Sequence, residues 1–122
     1  MACARLTLGL VFLAILAPLA PAHAETWVTA GSTEFGDISI DRDSITSDAD
    51  GLTRFHQSGP VAPGLITEVK INCAQDFSAE KVTLMDRTLV NPYGAKRLRD
   101  WQSKETYVSS LAGQAAKFVC QK

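Results

Sequence analysis

The residues of this chain most readily turned to chemistry are the histidine His56 and a spaced run of aspartates, Asp41, Asp43, Asp48 and Asp50. A histidine acts as a general acid–base, or activates a nucleophile, only when a hydroxyl or carboxylate is oriented against it. Nothing in the sequence around His56 marks such a partner, and no serine stands in a Gly-x-Ser-x-Gly elbow. A solvent-facing His56 is the plainer reading, with a small serine hydrolase held as an alternative class. The aspartates invite calcium, but the twelve-residue loop pattern fails. Counted from Asp41, Ile45 stands at the third ligand position and Thr46 replaces the required glycine. Turn formation and solvation account for these carboxylates. No catalytic residue, metal site or cofactor is expected, and the chain reads as a non-enzyme.

A second constellation makes contacts, not reactions. Tyr93, Lys96, Arg97, Arg99 and Trp101 set cations beside aromatic rings, residue types that dominate protein-binding hot spots. They define a candidate partner-contact surface, against the plainer alternative of a solvated loop that Trp101 anchors to the core. Trp27 is likewise expected in the core.

The cysteines and the start of the chain bear on compartment. Arg5 precedes an apolar run from Leu6 to Ala17, and Ala22-His23-Ala24 has the form of a signal-peptidase site. That run is shorter than the roughly 20 residues of a spanning helix. Residues 1–24 are therefore expected to be a cleaved signal peptide, taking Cys3 and His23 with them. Cys3 lies before the apolar run, whereas a lipoprotein cysteine follows one, so no lipid anchor is expected. Residues 25–122 remain as a single domain, periplasmic or secreted, with no membrane insertion after cleavage. Without Arg5 the balance is 11 basic against 13 acidic residues, which gives no electrostatic footprint for nucleic acid. Two cysteines survive, Cys73 and Cys120, and an even count in an exported chain reads as a disulfide.

The hydrophobic pattern supplies the elements that must position these groups. Trp27–Ala30 reads as a short strand ended by Gly31-Ser32. Phe35–Asp41 alternates Gly36, Ile38 and Ile40 with Asp37, Ser39 and Asp41, the signature of a half-buried strand. Asp41–Ile45 is expected to form a tight turn that returns Ile45 to the core, and Asp48–Gly51 a hairpin turn. Leu52–Ser58 is a strand centred on Phe55, and the prolines of Gly59–Gly64 interrupt the ladder. Leu65–Cys73 is the clearest strand, with Thr67, Val69, Ile71 and Cys73 on one face. Lys81–Val90 opposes Val82, Leu84 and Asp86 to Thr83, Met85 and Arg87, and Asn91–Gly94 is a turn. From Ser109 or Ser110 to Cys120, Leu111, Ala112, Ala115, Val119 and Cys120 recur at helical spacing behind a serine cap. Gly113 inside that helix marks a close approach to the sheet. The fold class is α+β: an antiparallel sheet of about five to six strands, with a C-terminal helix tethered to one face by Cys73–Cys120. The edge at Trp27, or the strand after Pro63, is expected to be available to a partner strand.

In these pieces the chain resembles the surface-adhesin protein E family of Gram-negative bacteria. The likeness rests on Trp27-Val28, Ile38-Ser39-Ile40-Asp41, Ser44-Ile45, Asp50-Gly51, Val69-Lys70-Ile71-Asn72-Cys73, Trp101 and Phe118-Val119-Cys120. It spans nearly all of residues 25–122. Gly36-Asp37 replaces the family's aromatic pair before Ile-Asp, and Phe55 alone remains of its aromatic strand. The resemblance implies a bridged sheet-and-helix domain, leaves a homodimer open, and suggests a protein partner, host matrix or envelope. The expected function is a non-enzymatic binding protein of the surface-adhesin E type, with a periplasmic inhibitor of a lytic enzyme or protease as the alternative.

Overall fold

A computed structural model describes residues 25–62, 64–91, 93–94 and 96–121 of the chain. The expected signal peptide, 1–24, lies outside the described residues, as does Lys122. The element order is β1 (Trp27–Thr33), β2 (Gly36–Ser47), β3 (Thr53–Ser58), β4 (Ile66–Ile71), β5 (Lys81–Val90), β6 (Gln102–Tyr107) and α1 (Leu111–Gln121). The six strands form one sheet in sequence order, and every neighbouring pair is antiparallel.

Strict alternation decides which face is dry. Ile38 and Ile40 of β2, Phe55 of β3, Val69 and Ile71 of β4, and Leu84 of β5 point to one side and are buried. There they meet Ala115, Ala116 and Val119 of α1, with Val28, Ala30, Ile45 and Phe77 packed around them. Each of the larger side chains contributes roughly 1.5–3 kcal/mol of transfer free energy when fully buried. The helix begins where Ser110 Oγ accepts the amide of Gly113 at 3.0 Å, which selects Ser110 over Ser109 as the cap. It ends beside β4, where Cys73 and Cys120 are joined with their Cα atoms 5.3 Å apart. The inward alternation of β4 carries Cys73, two residues past its end, to the side that α1 covers. The expected α+β sheet with its disulfide-tethered helix is therefore the observed architecture.

Several boundaries differ from the sequence reading, each for a physical reason. Gly31-Ser32 does not end β1; the strand absorbs a bulge between Thr29 and Gly31 and runs on to Thr33. The expected tight turn at Asp41–Ile45 is a bulge inside a continuous β2, the register shifting between Asp41 and Thr46. Side chains satisfy the backbone groups that the bulge frees. Asp41 Oδ1 accepts the amides of Thr26 and Asp43, while Ser44 Oγ donates to Asp41 O and accepts His56 N–H. Ile45 reaches the core as expected. Trp27, expected in the core, lies on the opposite face, because it pairs with outward-facing Asp41 while its neighbour Val28 points inward. The strand after Pro63 is central and not an edge; the edges are β1 and β6.

The helix also closes one of those edges. Gln114 accepts the Ser32 amide at 2.9 Å and donates to the Ser32 carbonyl at 3.1 Å, standing in for a missing strand. Gly31 makes this possible, since a Cβ there would lie 2.5 Å from Gln114 Cβ.

Candidate functional site

The face turned away from α1 carries the ionisable residues, and the strand register lines them up. Asp41 of β2 stands opposite His56 of β3, His56 opposite Glu68 of β4, and Glu68 opposite Arg87 of β5. Glu68 is only 8% exposed, since cations cover it. Arg87 contacts its Oε1 through Nε at 2.9 Å and Nη2 at 2.7 Å, while His56 Nε2 lies 3.3 Å and Arg54 Nε 3.9 Å from Oε2. Arg54 also reaches Asp48 at 2.8 Å, and Lys70 reaches the same carboxylate at 3.4 Å. His56 thus faces outward, as expected, but beside a carboxylate that its own strand gives no hint of. A hydrolase would further need a hydroxyl on the ring. Among the described residues, no serine or threonine hydroxyl is hydrogen-bonded to the imidazole, and nearby Ser44 binds the His56 backbone instead.

The remaining aspartates do local work. Asp48 and Asp50 take up Arg54 and Lys70, and Asp50 also accepts the Leu52 amide in the β2–β3 turn. Asp43 accepts the Thr26 hydroxyl.

The five residues of the candidate contact surface fall in three places. Trp101 lies flat against the charged face, its ring centroid 4.4 Å from Arg87 Cζ and 4.7 Å from Lys70 Nζ. It anchors its segment through cation–π contact, outside the apolar core. Arg99 turns to the other side of the sheet. It donates to Asp86 Oδ1, Thr88 Oγ1 and Gln102 Oε1, and Lys104 holds the second Asp86 oxygen at 2.9 Å. These contacts neutralise Asp86, which is 3% exposed and would otherwise be a costly buried charge. Tyr93, Lys96 and Arg97 stand together on a hairpin that extends β5. Val90 pairs with Lys96, and the Arg97 and Leu98 amides donate to Leu89 O and Thr88 O.

A further site is built from other segments. Thr33 and Phe35 at the β1–β2 turn, Val61 from the β3–β4 connection, and Thr106 and Tyr107 at the end of β6 line one groove of about 650 Å³ with Leu111 and Ala112 of α1. The ends of the first and last strands can share a groove only because the sheet coils and α1 fills the gap between them. Phe35 is 74% exposed, Val61 88% and Tyr107 50%, so three large apolar side chains from separate segments open onto one place. Sequence reasoning passed over them. The available signal was an aromatic directly before a turn glycine and a valine inside a proline-interrupted loop, where solvation favours polar residues.

The Cys73–Cys120 bridge is consistent with an oxidising, exported location. Among the described residues, no helix is long and apolar enough to cross a membrane. Compared with known proteins, the chain matches no protein-family model, no curated protein and no solved structure.

Proposed function

We propose that the chain is a non-enzymatic binding domain of the surface-adhesin E type, exported to the periplasm or beyond without a lipid anchor. Its disulfide-braced scaffold offers the apolar groove at Phe35, Val61 and Tyr107 to a protein partner. The observation that carries this reading is the convergence of those three exposed side chains. Scattered surface apolar residues are ordinary, whereas a cluster rimmed by polar groups marks a contact site. Here Thr33, Glu34, Ser109 and Ser110 form the rim. What supports the non-enzymatic part is that the Glu68 carboxylate beside His56 is taken up by Arg87 on one oxygen and faces Arg54 and His56 with the other. The test is direct binding of the purified, oxidised protein to matrix proteins and to envelope extracts. Saturable binding that Val61→Asp abolishes is the expected result, and saturable binding to none of them removes the adhesin assignment.

A second reading follows from the same valine. Val61 projects from the Gly59–Gly64 connection, the segment that an inhibitor of a lytic enzyme or protease would insert into a cleft. A lysozyme and protease inhibition assay separates the two readings, and no inhibition at micromolar concentration excludes the inhibitor.

A further inference from the structure

From the hairpin beyond β5, we propose a second contact surface, independent of the groove, that takes an acidic peptide segment carrying an apolar side chain. Its apex presents Tyr93 at 92% exposure, and its return arm presents Lys96, Arg97 and the 47%-exposed Leu98. Apart from Arg42 of β2, these cations differ from those on the sheet. Arg54, Lys70, Lys81, Arg87, Arg99 and Lys104 each have a carboxylate partner. Among the described residues, Lys96 and Arg97 have none, and the nearby carboxylate of Asp100 pairs with neither. Two unpaired positive charges therefore stand beside two solvated apolar side chains.

The hairpin is also held in place. Arg97 sits at φ +50°, a left-handed conformation that a side chain with a Cβ rarely adopts. Backbone hydrogen bonds from Arg97 and Leu98 to β5 fix it there, and the Arg99 guanidinium clamps the hairpin base to Asp86 and Thr88. Strain of this kind persists where the surrounding structure over-determines it, and it clusters at contact sites. The charge density selects the partner class. Anionic membranes are recognised by clusters of roughly four to eight basic residues, and nucleic acid by basic stripes, whereas this hairpin offers two unpaired cations on a chain of nearly balanced charge. Two adjacent cations flanked by a tyrosine and a leucine complement an acidic segment that carries an apolar side chain.

The experiment is a selection from a displayed random heptapeptide library on the immobilised, oxidised protein, followed by affinity measurement with the selected synthetic peptides. The expected peptides combine Asp or Glu with an adjacent aromatic or aliphatic residue. Lys96→Glu with Arg97→Glu should weaken them at least about tenfold, Tyr93→Ala should weaken them too, and added salt should lower affinity, as for exposed charges. Val61→Asp should leave these peptides bound, so failure here is distinct from failure at the groove. The proposal is overturned if no peptide is selected, if the peptides show no acidic bias, or if charge reversal leaves their binding unchanged. Sedimentation with vesicles containing phosphatidylglycerol that depends on Lys96 and Arg97 would overturn it in favour of a membrane. Circular dichroism melts of the variants, all altered at exposed side chains, are expected to match the parent protein.

Discussion

A Cβ placed on Gly113 would lie 2.6 Å from Val108 O and closer still to Tyr107 O. Glycine is the poorest helix former after proline, so on propensity alone alanine here would gain about 1 kcal/mol. Contact with fixed backbone wins over propensity: Gly113→Ala should lower unfolding stability by roughly 1–3 kcal/mol, read by chemical denaturation. A stabilised variant would show that α1 does not sit this close to the end of β6. The sequence alone marked Gly113 as a point of close approach, because glycine in a helix interior needs a reason. Other residue-scale features were hidden. That Glu68 meets His56, Arg54 and Arg87 depends on the register of three neighbouring strands, and a single strand's alternation carries no register. Asp76 offers a check on pH. The Ser78 hydroxyl, then the Ser78 amide, hydrogen-bond its carboxylate and hold its pKa below the usual value. A depressed carboxyl stabilises its turn above the ordinary carboxylate pKa, and the effect fades as pH falls through the folded value. Ser78→Ala should therefore raise the Asp76 titration midpoint, measured by NMR; an unmoved midpoint would contradict the assigned cause.

At the scale of elements, the buried strands were legible and the polar one was not. Lys81–Val90 was readable to its ends, since Val82, Leu84 and Asp86 alternate with outward residues and all three are buried. Gln102–Tyr107 went unseen because an exposed edge strand of Gln, Ser, Lys, Glu, Thr and Tyr carries no apolar alternation to detect. Its charges have their own logic. A symmetric antiparallel pairing centred on Lys104 or Glu105 would set that charge against its own copy, which disfavours edge-to-edge association. On the other edge the safeguard is a side chain. Gln114→Ala removes both hydrogen bonds to Ser32 and one to Ser109 O, and should cost about 1–2 kcal/mol while speeding exchange of the Ser32 amide. Hydrogen-exchange NMR reads this directly, and unchanged protection of Ser32 would mean that Gln114 does not guard the edge.

For the whole molecule, the tie between Cys73 and Cys120 has the largest single effect. The two are 47 positions apart, and closing such a loop restricts the unfolded chain by about 4 kcal/mol in the entropy model. A domain of this size has only ~5–15 kcal/mol in total. Replacing both cysteines by serine should lower the thermal midpoint by roughly 15–30 °C, taking about 4–8 °C per kcal/mol. A shift of only a few degrees would mean that packing of α1 holds the domain without the bridge. This global feature was legible because residues 25–122 hold two cysteines, which leave one pairing. The coil that brings Thr33 and Tyr107 to a common groove was not, since it is a property of the assembled sheet.

The cation pair over Trp101 has a spectroscopic consequence. An indole packed against Arg87 and Lys70 sits in a fixed local field, and excitation of the ring makes its emission colour sensitive to small shifts of those charges. Trp101 is three residues from Leu98, at the foot of the hairpin. With Trp27→Phe removing the second indole of residues 25–122, the protein carries its own optical reporter, and occupancy of the Tyr93 apex becomes readable as a change in Trp101 emission without any added label.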